Sequence, residues 1–167
     1  MRPRQRFCLN GDVDISDDYA ILLAEDDEND VLLTKLAFKK AGLEERLHVV
    51  KDGEEAIQYL SGDGVYANRK KYPLPNLLIT DLSMPKKSGT EVIQWVRSHP
   101  TLKRLQVFIL SGMPREAGVP PPVATVDAGA TAYLSKANAG EDIQELVNGL
   151  SRFIEEIQDS HQPTFLS

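Results

Sequence analysis

The sequence predicts a doubly wound α/β domain: five parallel β-strands in one sheet, with helices on both faces. From Ala20 onward, short apolar runs alternate with amphipathic stretches, which is typical of repeated β-α units. Three of the runs are apolar throughout rather than alternating, as expected of parallel strands covered on both faces. Polar residues follow the ends of several runs, and in such sheets ligands bind outside the carboxyl ends of the strands.

Length and composition limit the classes of protein that the chain fits. The chain has 167 residues, of which 41% are hydrophobic, and this suits one globular domain. A net charge of -6 disfavours a nucleic-acid partner. No apolar run reaches the roughly 20 residues that cross a bilayer, and the single cysteine, Cys8, excludes an internal disulfide. We expect a cytoplasmic protein with an N-terminal extension at 1–18, a domain at 19–158 and a tail at 159–167.

Each strand prediction rests on a short apolar run bounded by turn-forming or charged residues. The five strands are predicted at residues 20–24, 47–50, 77–80, 106–110 and 131–134.

The first three helices have start or stop signals at their ends. The first is predicted at 28–41 and ends at Gly42, with one apolar face made by Leu32, Leu33, Leu36 and Ala37. The second begins after Asp52 with Glu55 three residues later, and the third begins after Ser88 with Glu91 three residues later. Both pairs have the spacing of a capping box.

The last predicted helix has its apolar residues on one face, at the helical repeat. It opens at Asn138, with Glu141 at the capping-box position. Between strands 4 and 5, four prolines in residues 113–123 prevent a helix from beginning before Val123. The apolar face of the last helix is made by Ile143, Leu146, Val147, Leu150, Ile154 and Ile157.

Three carboxylates are predicted to meet at one edge of the sheet. Glu25 and Asp26 follow strand 1, and Asp81 follows strand 3. Carboxylates packed this closely repel one another unless a cation is present, and oxygen ligands with room for water suit Mg²⁺. The alternative interpretation is that these acids favour the positive end of the first helix. We assign Asp27, Glu28 and Asp30 to that helix-start role.

Asp81 is followed by a stiff turn that contains Met84-Pro85 and Gly89. A carboxylate held beside Mg²⁺ can accept a phosphoryl group and form an acyl phosphate. Ser111 after strand 4 has a hydroxyl that can donate to a phosphoryl oxygen, and Lys136 after strand 5 has an ammonium that can pair with an acid or a phosphate. Taken singly, Ser111 would be a strand-end cap and Lys136 a solvated side chain.

Residues 20–157 resemble a response-regulator receiver domain of bacterial two-component signalling. The resemblance rests on four ordered motifs, which are ILLAEDD at 21–27, LITDLSMP at 78–85 with Gly89, FILSG at 108–112, and AGATAYLSK at 128–136. It implies a flavodoxin-like sheet with strand order 2-1-3-4-5.

The resemblance also implies a role for each site residue. Asp81 would be the phosphoacceptor, Asp26 a direct Mg²⁺ ligand, Glu25 a ligand through water, and the backbone carbonyl of Ser83 a further ligand. Ser111 and Lys136 would bind the phosphoryl oxygens. A movement of Ser111 would be coupled to a swing of Tyr133, which as a plain core tyrosine would need no such role.

The loop at 64–75, together with 95–100, is similar to stand-alone receivers that partner phytochrome-type sensor kinases. This implies a sensor histidine kinase as phosphodonor and a downstream partner or phosphorelay; homodimerisation stays open. The chain departs from the family at Ala137, where proline is usual. Apolar Met113 suggests slow self-dephosphorylation, and beyond such self-reactions we expect no enzymatic activity.

Three other classes of protein are alternatives to the receiver. An aspartyl-nucleophile phosphatase needs a second acid two residues after the nucleophile, where this chain has Ser83. A flavin-binding module would place phosphate in the loop after strand 1, where acidic residues would repel it. An interaction module of the same shape that is never phosphorylated stays open as the third alternative.

Overall fold

The computed structural model describes residues 19–112, 128–136 and 139–160, which form a three-layer α/β sandwich. Five strands form one sheet in the order β2-β1-β3-β4-β5, and every neighbouring pair is parallel. The predicted fold class and strand order are therefore confirmed. The strands are β1 Ile21–Ala24, β2 Leu47–Val50, β3 Leu77–Asp81, β4 Gln106–Ser111 and β5 Ala132–Ser135.

The strands are apolar on both faces of the sheet, and each face forms a separate core. One core packs α2 and α3 against the sheet, and the other packs α1 and the C-terminal helix α4 on the opposite face. Every residue of β1 and β3 is buried, as the continuous apolar runs predicted. The helices are α1 Glu28–Lys40, α2 Gly53–Ser61, α3 Gly89–Ser98 and α4 Ala139–Ser160.

The apolar face predicted for α1 is not the face that packs on the sheet. Ala37 is buried, but Leu32, Leu33 and Leu36 are 55%, 52% and 46% exposed. The buried face is made instead by Thr34, Ala37 and Phe38. Both sets recur at helical spacing, so periodicity could not choose between them. The ring of Phe38, which is fully buried, fills the space between α1 and the sheet.

The helix starts follow the predicted caps with one difference. Ser88 and Glu91 form a complete capping box at α3. At α2, the Asp52 side chain accepts a hydrogen bond from the Glu55 amide at 2.7 Å. The Glu55 carboxylate, however, accepts from the Lys51 amide, one residue before the cap. The predicted box at α2 is therefore only half formed, and the helix still begins where expected.

The connection between α2 and β3 is an ordered part of the domain. It contains a short 3₁₀ helix, Gly64–Ala67. The rings of Tyr66 and Tyr72 pack on each other and on Tyr59 of α2, with centroids 5.0 to 5.9 Å apart. Arg69 donates to the carbonyls of Tyr59 and Leu60 in the last turn of α2. Through these tyrosines the loop packs against the core that contains α2 and α3.

Some predictions fall outside the described residues. These are the extension at 1–18, Met113 and the proline-rich segment, Ala137, Asn138 as a cap, and residues 161–167 of the tail. Helix α4 continues through Ser160, two residues into the predicted tail. Of its predicted apolar face, Ile143, Val147 and Leu150 are buried. Within the described ranges, no helix combines the length and the apolar character needed to cross a membrane.

Candidate functional site

The carboxyl ends of the central strands bring the candidate residues to one edge of the sheet. Glu25 directly follows β1, Asp81 is the last residue of β3, and Lys136 directly follows β5. Strands β1 and β3 are paired in register, with Ala24 opposite Thr80. The next residues on the two strands, Glu25 and Asp81, therefore emerge side by side.

Glu25, Asp26 and Asp81 form a compact acidic cluster. One carboxylate oxygen from each lies within 4.8 Å of the others. Glu25 is 1% exposed and Asp81 is 7% exposed, whereas Asp26 is exposed. Two buried carboxylates and one open to solvent make a pocket that a cation can enter from one side.

The Lys136 ammonium contacts two of these acids, Glu25 and Asp81, and a further acid, Asp30, from α1. Its Nζ is 2.7 Å from Glu25 Oε2, 2.8 Å from Asp30 Oδ2 and 3.0 Å from Asp81 Oδ2. An ammonium has three N–H donors, so each has one carboxylate oxygen beside it. The lysine side chain is 15% exposed, which makes these partly buried charge pairs rather than surface ones.

Burial and charge act in opposite directions on the two innermost groups. Desolvation raises the pKa of Glu25, and the contact with Lys136 and the Asp27 amide only partly offset it. Burial alone would lower the pKa of Lys136, but its contacts with Asp30, Glu25 and Asp81 outweigh burial and raise it. Lys136 is therefore firmly charged at neutral pH.

The turn after Asp81 is held by close backbone contacts. A Cβ at Gly89 would lie 2.2 Å from the carbonyl oxygen of Asp81, and a Cβ at Gly53 would lie 2.1 Å from that of Lys87. Both positions thus require glycine, because no side chain fits. Lys86 adopts a left-handed backbone with φ 66° and pairs with Asp52 at 3.4 Å. These contacts fix the turn that presents the Asp81 carboxylate.

The structure places the remaining predicted residues around this pocket. The Ser83 amide lies 3.4 Å from Asp81 Oδ1, a long contact within the same turn. Ser111 ends β4 and is buried, one residue beyond Leu110, which is opposite Asp81. Tyr133 lies on β5 opposite Ile109 and is half-buried against the α2/α3 core. Their signalling roles stay predictions.

Asp30 is the site residue that sequence reasoning missed. The sequence predicts Asp30 to be one of the helix-start acids, yet its carboxylate contacts Lys136 directly. Asp27 does take the predicted role, because its side chain accepts from the amides of Asn29 and Asp30 as the N-cap of α1. The sequence offered no signal for this contact, because Asp30 has the position of an ordinary acid in the first turn of a helix.

The residues present fit a hard divalent cation. The ligand set is made only of oxygens, which suits Mg²⁺ or a similar ion. Among the described residues, Glu25 Oε2 is buried and accepts no well-directed hydrogen bond, with Lys136 as its charge partner. That oxygen has lone pairs left for a cation or for a water bound to one. Burial is the main cause of the raised pKa of Glu25, and repulsion from Asp81 adds to it. A cation here would offset both effects.

Comparison with known proteins identifies a family and several relatives. The response regulator receiver domain family matches residues 21–148. Response regulator Rcp1 of Synechocystis sp. is 33% identical over 133 residues, covering 80% of this chain and 86% of Rcp1.

Two solved structures superpose on most of the described fold. The Mn²⁺-bound form of Rcp1 has a TM-score of 0.65 at 32% identity, covering 81% of this chain and 93% of that one. The phosphorylated cyanobacterial phytochrome response regulator RcpA has a TM-score of 0.67 at 33% identity, covering 82% of this chain and 94% of that one. The predicted resemblance to receivers that partner phytochromes is therefore confirmed.

Proposed function

Because the chain belongs to the response regulator receiver domain family, we propose that residues 19–158 receive a phosphoryl group on Asp81 from a sensor histidine kinase. The observation that supports this most strongly is the pocket itself. Three acids within 4.8 Å of one another and a lysine 3.0 Å from Asp81 meet at the carboxyl edge of a parallel sheet. A carboxylate nucleophile and a fixed positive charge are the two groups that acyl phosphate formation needs.

In the proposed reaction, a carboxylate oxygen of Asp81 attacks the phosphorus of the donor. A new P–O bond forms, the bond from phosphorus to the donor breaks, and the donor leaves with its electron pair. The Asp81 carboxylate is the nucleophile, and the turn that Gly89 closes holds it in place. Lys136 then moves from the Asp81 carboxylate to a phosphoryl oxygen, while the Ser111 hydroxyl donates to another.

Glu25, Asp26, Asp81 and the Ser83 carbonyl would hold the cation, and we propose Mg²⁺. Glu25 is the most buried of these, so it would act through water rather than move. When bound, Mg²⁺ would supply the positive charge that neutralises the phosphoryl oxygens. Support for a divalent ion comes from the acidic cluster and from the Mn²⁺ held by the Rcp1 structure.

We further propose that phosphorylation is transmitted through Ser111 and Tyr133. The added negative charge draws the Ser111 hydroxyl toward Asp81. Tyr133 stands two residues before the partner of Ser111 on β5, so a shift at the end of β4 changes the space available to its ring. The new surface would signal to a downstream partner or open a phosphorelay.

A phytochrome-type histidine kinase in the cytoplasm is the proposed phosphodonor. The phytochrome response regulator RcpA supports this assignment by its similarity to this chain. Helix α1 begins at the acidic cluster and exposes Leu32, Leu33 and Leu36. An exposed apolar patch of this kind is typical of a protein-binding surface. Its position on the helix that begins just after the acidic cluster suits a kinase helix that delivers a phosphoryl group.

The phosphoacceptor can be identified by chemical mapping. We expect the purified protein to gain one phosphoryl group from acetyl phosphate in the presence of Mg²⁺ and none in the presence of a chelator. Borohydride reduction of the acyl phosphate should convert Asp81 alone, as read by peptide mass spectrometry. Labelling of another residue, or labelling that a chelator leaves unchanged, would contradict the proposal.

The α1 surface can be tested separately from the chemistry. Leu33→Glu is expected to slow transfer from a phosphorylated phytochrome-type kinase by at least about tenfold, the size of a lost interface anchor. Uptake from acetyl phosphate should stay unchanged, because Leu33 is 52% exposed and outside the pocket. Val65→Glu, which changes a residue 74% exposed, is the control. Equal transfer to both variants would exclude this docking surface.

A further inference from the structure

Asp30 has a position in the pocket that differs from those of the other two acids on Lys136. Glu25 and Asp81 belong both to the lysine contacts and to the acidic cluster that fits a cation. Asp30 contacts Lys136 at 2.8 Å but is not part of that cluster. It is therefore the one carboxylate of the three that serves the ammonium alone.

This difference matters when a divalent cation enters. The cation competes with Lys136 for Glu25 and Asp81, and it repels the ammonium as a like charge. The pocket contains four carboxylates, those of Glu25, Asp26, Asp30 and Asp81, against one ammonium. Two further positive charges leave the sum at about -1, whereas without Asp30 the same groups would sum to about zero.

Asp30 is also fixed in place by the helix that carries it. Its amide donates to the Asp27 side chain at 3.1 Å, and its carbonyl accepts from the Thr34 hydroxyl at 2.8 Å. Its side chain is 27% exposed, so the contact with Lys136 is partly shielded from water. The carboxylate thus approaches Lys136 from a rigid first turn of α1 rather than from a loop.

We propose that Asp30 is a positioning residue that holds the Lys136 ammonium beside Asp81 when a divalent cation is bound. It gives the lysine a partner for which the cation does not compete. The inference rests on the proposed function, because it assigns Asp30 a role toward the same cation and the same phosphoacceptor.

The test is the affinity of the full chain for Mg²⁺, measured by calorimetry without any phosphodonor. Asp30→Asn keeps the shape of the side chain and should weaken Mg²⁺ binding about tenfold, because Lys136 then falls back on Glu25 and Asp81. Glu28→Gln removes the same charge from the same turn of α1. Because Glu28 is exposed, this change should weaken Mg²⁺ binding less than about threefold. Asp30→Glu, which keeps the charge, should recover most of the affinity.

A double-mutant cycle separates positioning from a general field effect. In a Lys136→Met background, Asp30→Asn should weaken Mg²⁺ binding no more than Glu28→Gln does in the wild type. The inference is overturned if Asp30→Asn and Glu28→Gln have equal effects in the wild type, a comparison that needs no lysine variant. It is also overturned if the full effect of Asp30→Asn persists without Lys136. A wild type that binds no divalent cation would overturn the proposed function as well.

Discussion

An Asp81→Asn protein is expected to take up no phosphoryl group and, without a divalent cation, to be more stable than the wild type. The amide oxygen can still accept from Lys136, but an amide is not a nucleophile toward phosphorus. Burial is the main cause of the raised pKa of Glu25, and repulsion from the nearby Asp81 carboxylate adds to it. Removing one charge should increase the free energy of unfolding by about 1 kcal/mol, the size common for relief of strain at a functional site.

The measurement pairs acetyl phosphate labelling with urea unfolding in a chelator. Asp63→Asn is the matched control, since Asp63 is exposed in the loop after α2 and should change neither quantity. Addition of Mg²⁺ should stabilise the wild type more than Asp81→Asn, because binding to the folded state adds to stability according to affinity. A variant that is still phosphorylated, or one that is less stable than the wild type in chelator, would contradict the assignment of Asp81.

The fold was predictable because its signals are local. Strand β2 lies at its predicted residues, and β1, β3, β4 and β5 lie within one residue of theirs. Their apolar runs have the length of a strand, and each run ends at charged or turn-forming residues. Because parallel strands share one carboxyl edge, the convergence of Glu25, Asp81 and Lys136 then followed from the order of motifs.

Two features could not be predicted because they depend on packing between elements. Helix α1 has two sets of residues at helical spacing that could face the core, and only contact with the sheet selects Phe38 over the exposed leucines. Asp30 looked like any acid in a first helical turn, where the helix dipole favours negative charge. Its contact with Lys136 requires the relative placement of α1 and β5, which are 106 residues apart at these positions.

Lys136→Met should cause the largest loss of stability of the variants considered. It removes the ammonium from three carboxylates, of which Glu25 is fully buried. Leaving a largely buried charge without its partner costs about 3 kcal/mol at neutral pH. We expect that loss in the free energy of urea unfolding. Stable phosphorylation should also be lost, because no ammonium then contacts the phosphoryl oxygens from the β5 side.

The pH dependence gives this prediction a definite sign. Burial already raises the pKa of Glu25 above its ordinary value of 4.5, and Lys136 opposes the rise. Without the lysine the pKa rises further, so the folded state binds a proton more readily than the unfolded chain. A group of this kind favours folding at low pH and loses that contribution as the pH rises through its folded pKa. The deficit of Lys136→Met should therefore be greatest at neutral pH and shrink as the pH falls toward 4.5.

Magnesium, like acid, should reduce the stability deficit of Lys136→Met. A cation among Glu25, Asp26 and Asp81 replaces part of the missing positive charge, and it no longer competes with an ammonium for those oxygens. Lys103→Met, which changes an exposed lysine outside the pocket, is the control and should be near neutral at every pH. If Lys136→Met matched the wild type at pH 7, or if its deficit grew as the pH fell, Lys136 would not be the charge that holds these carboxylates together.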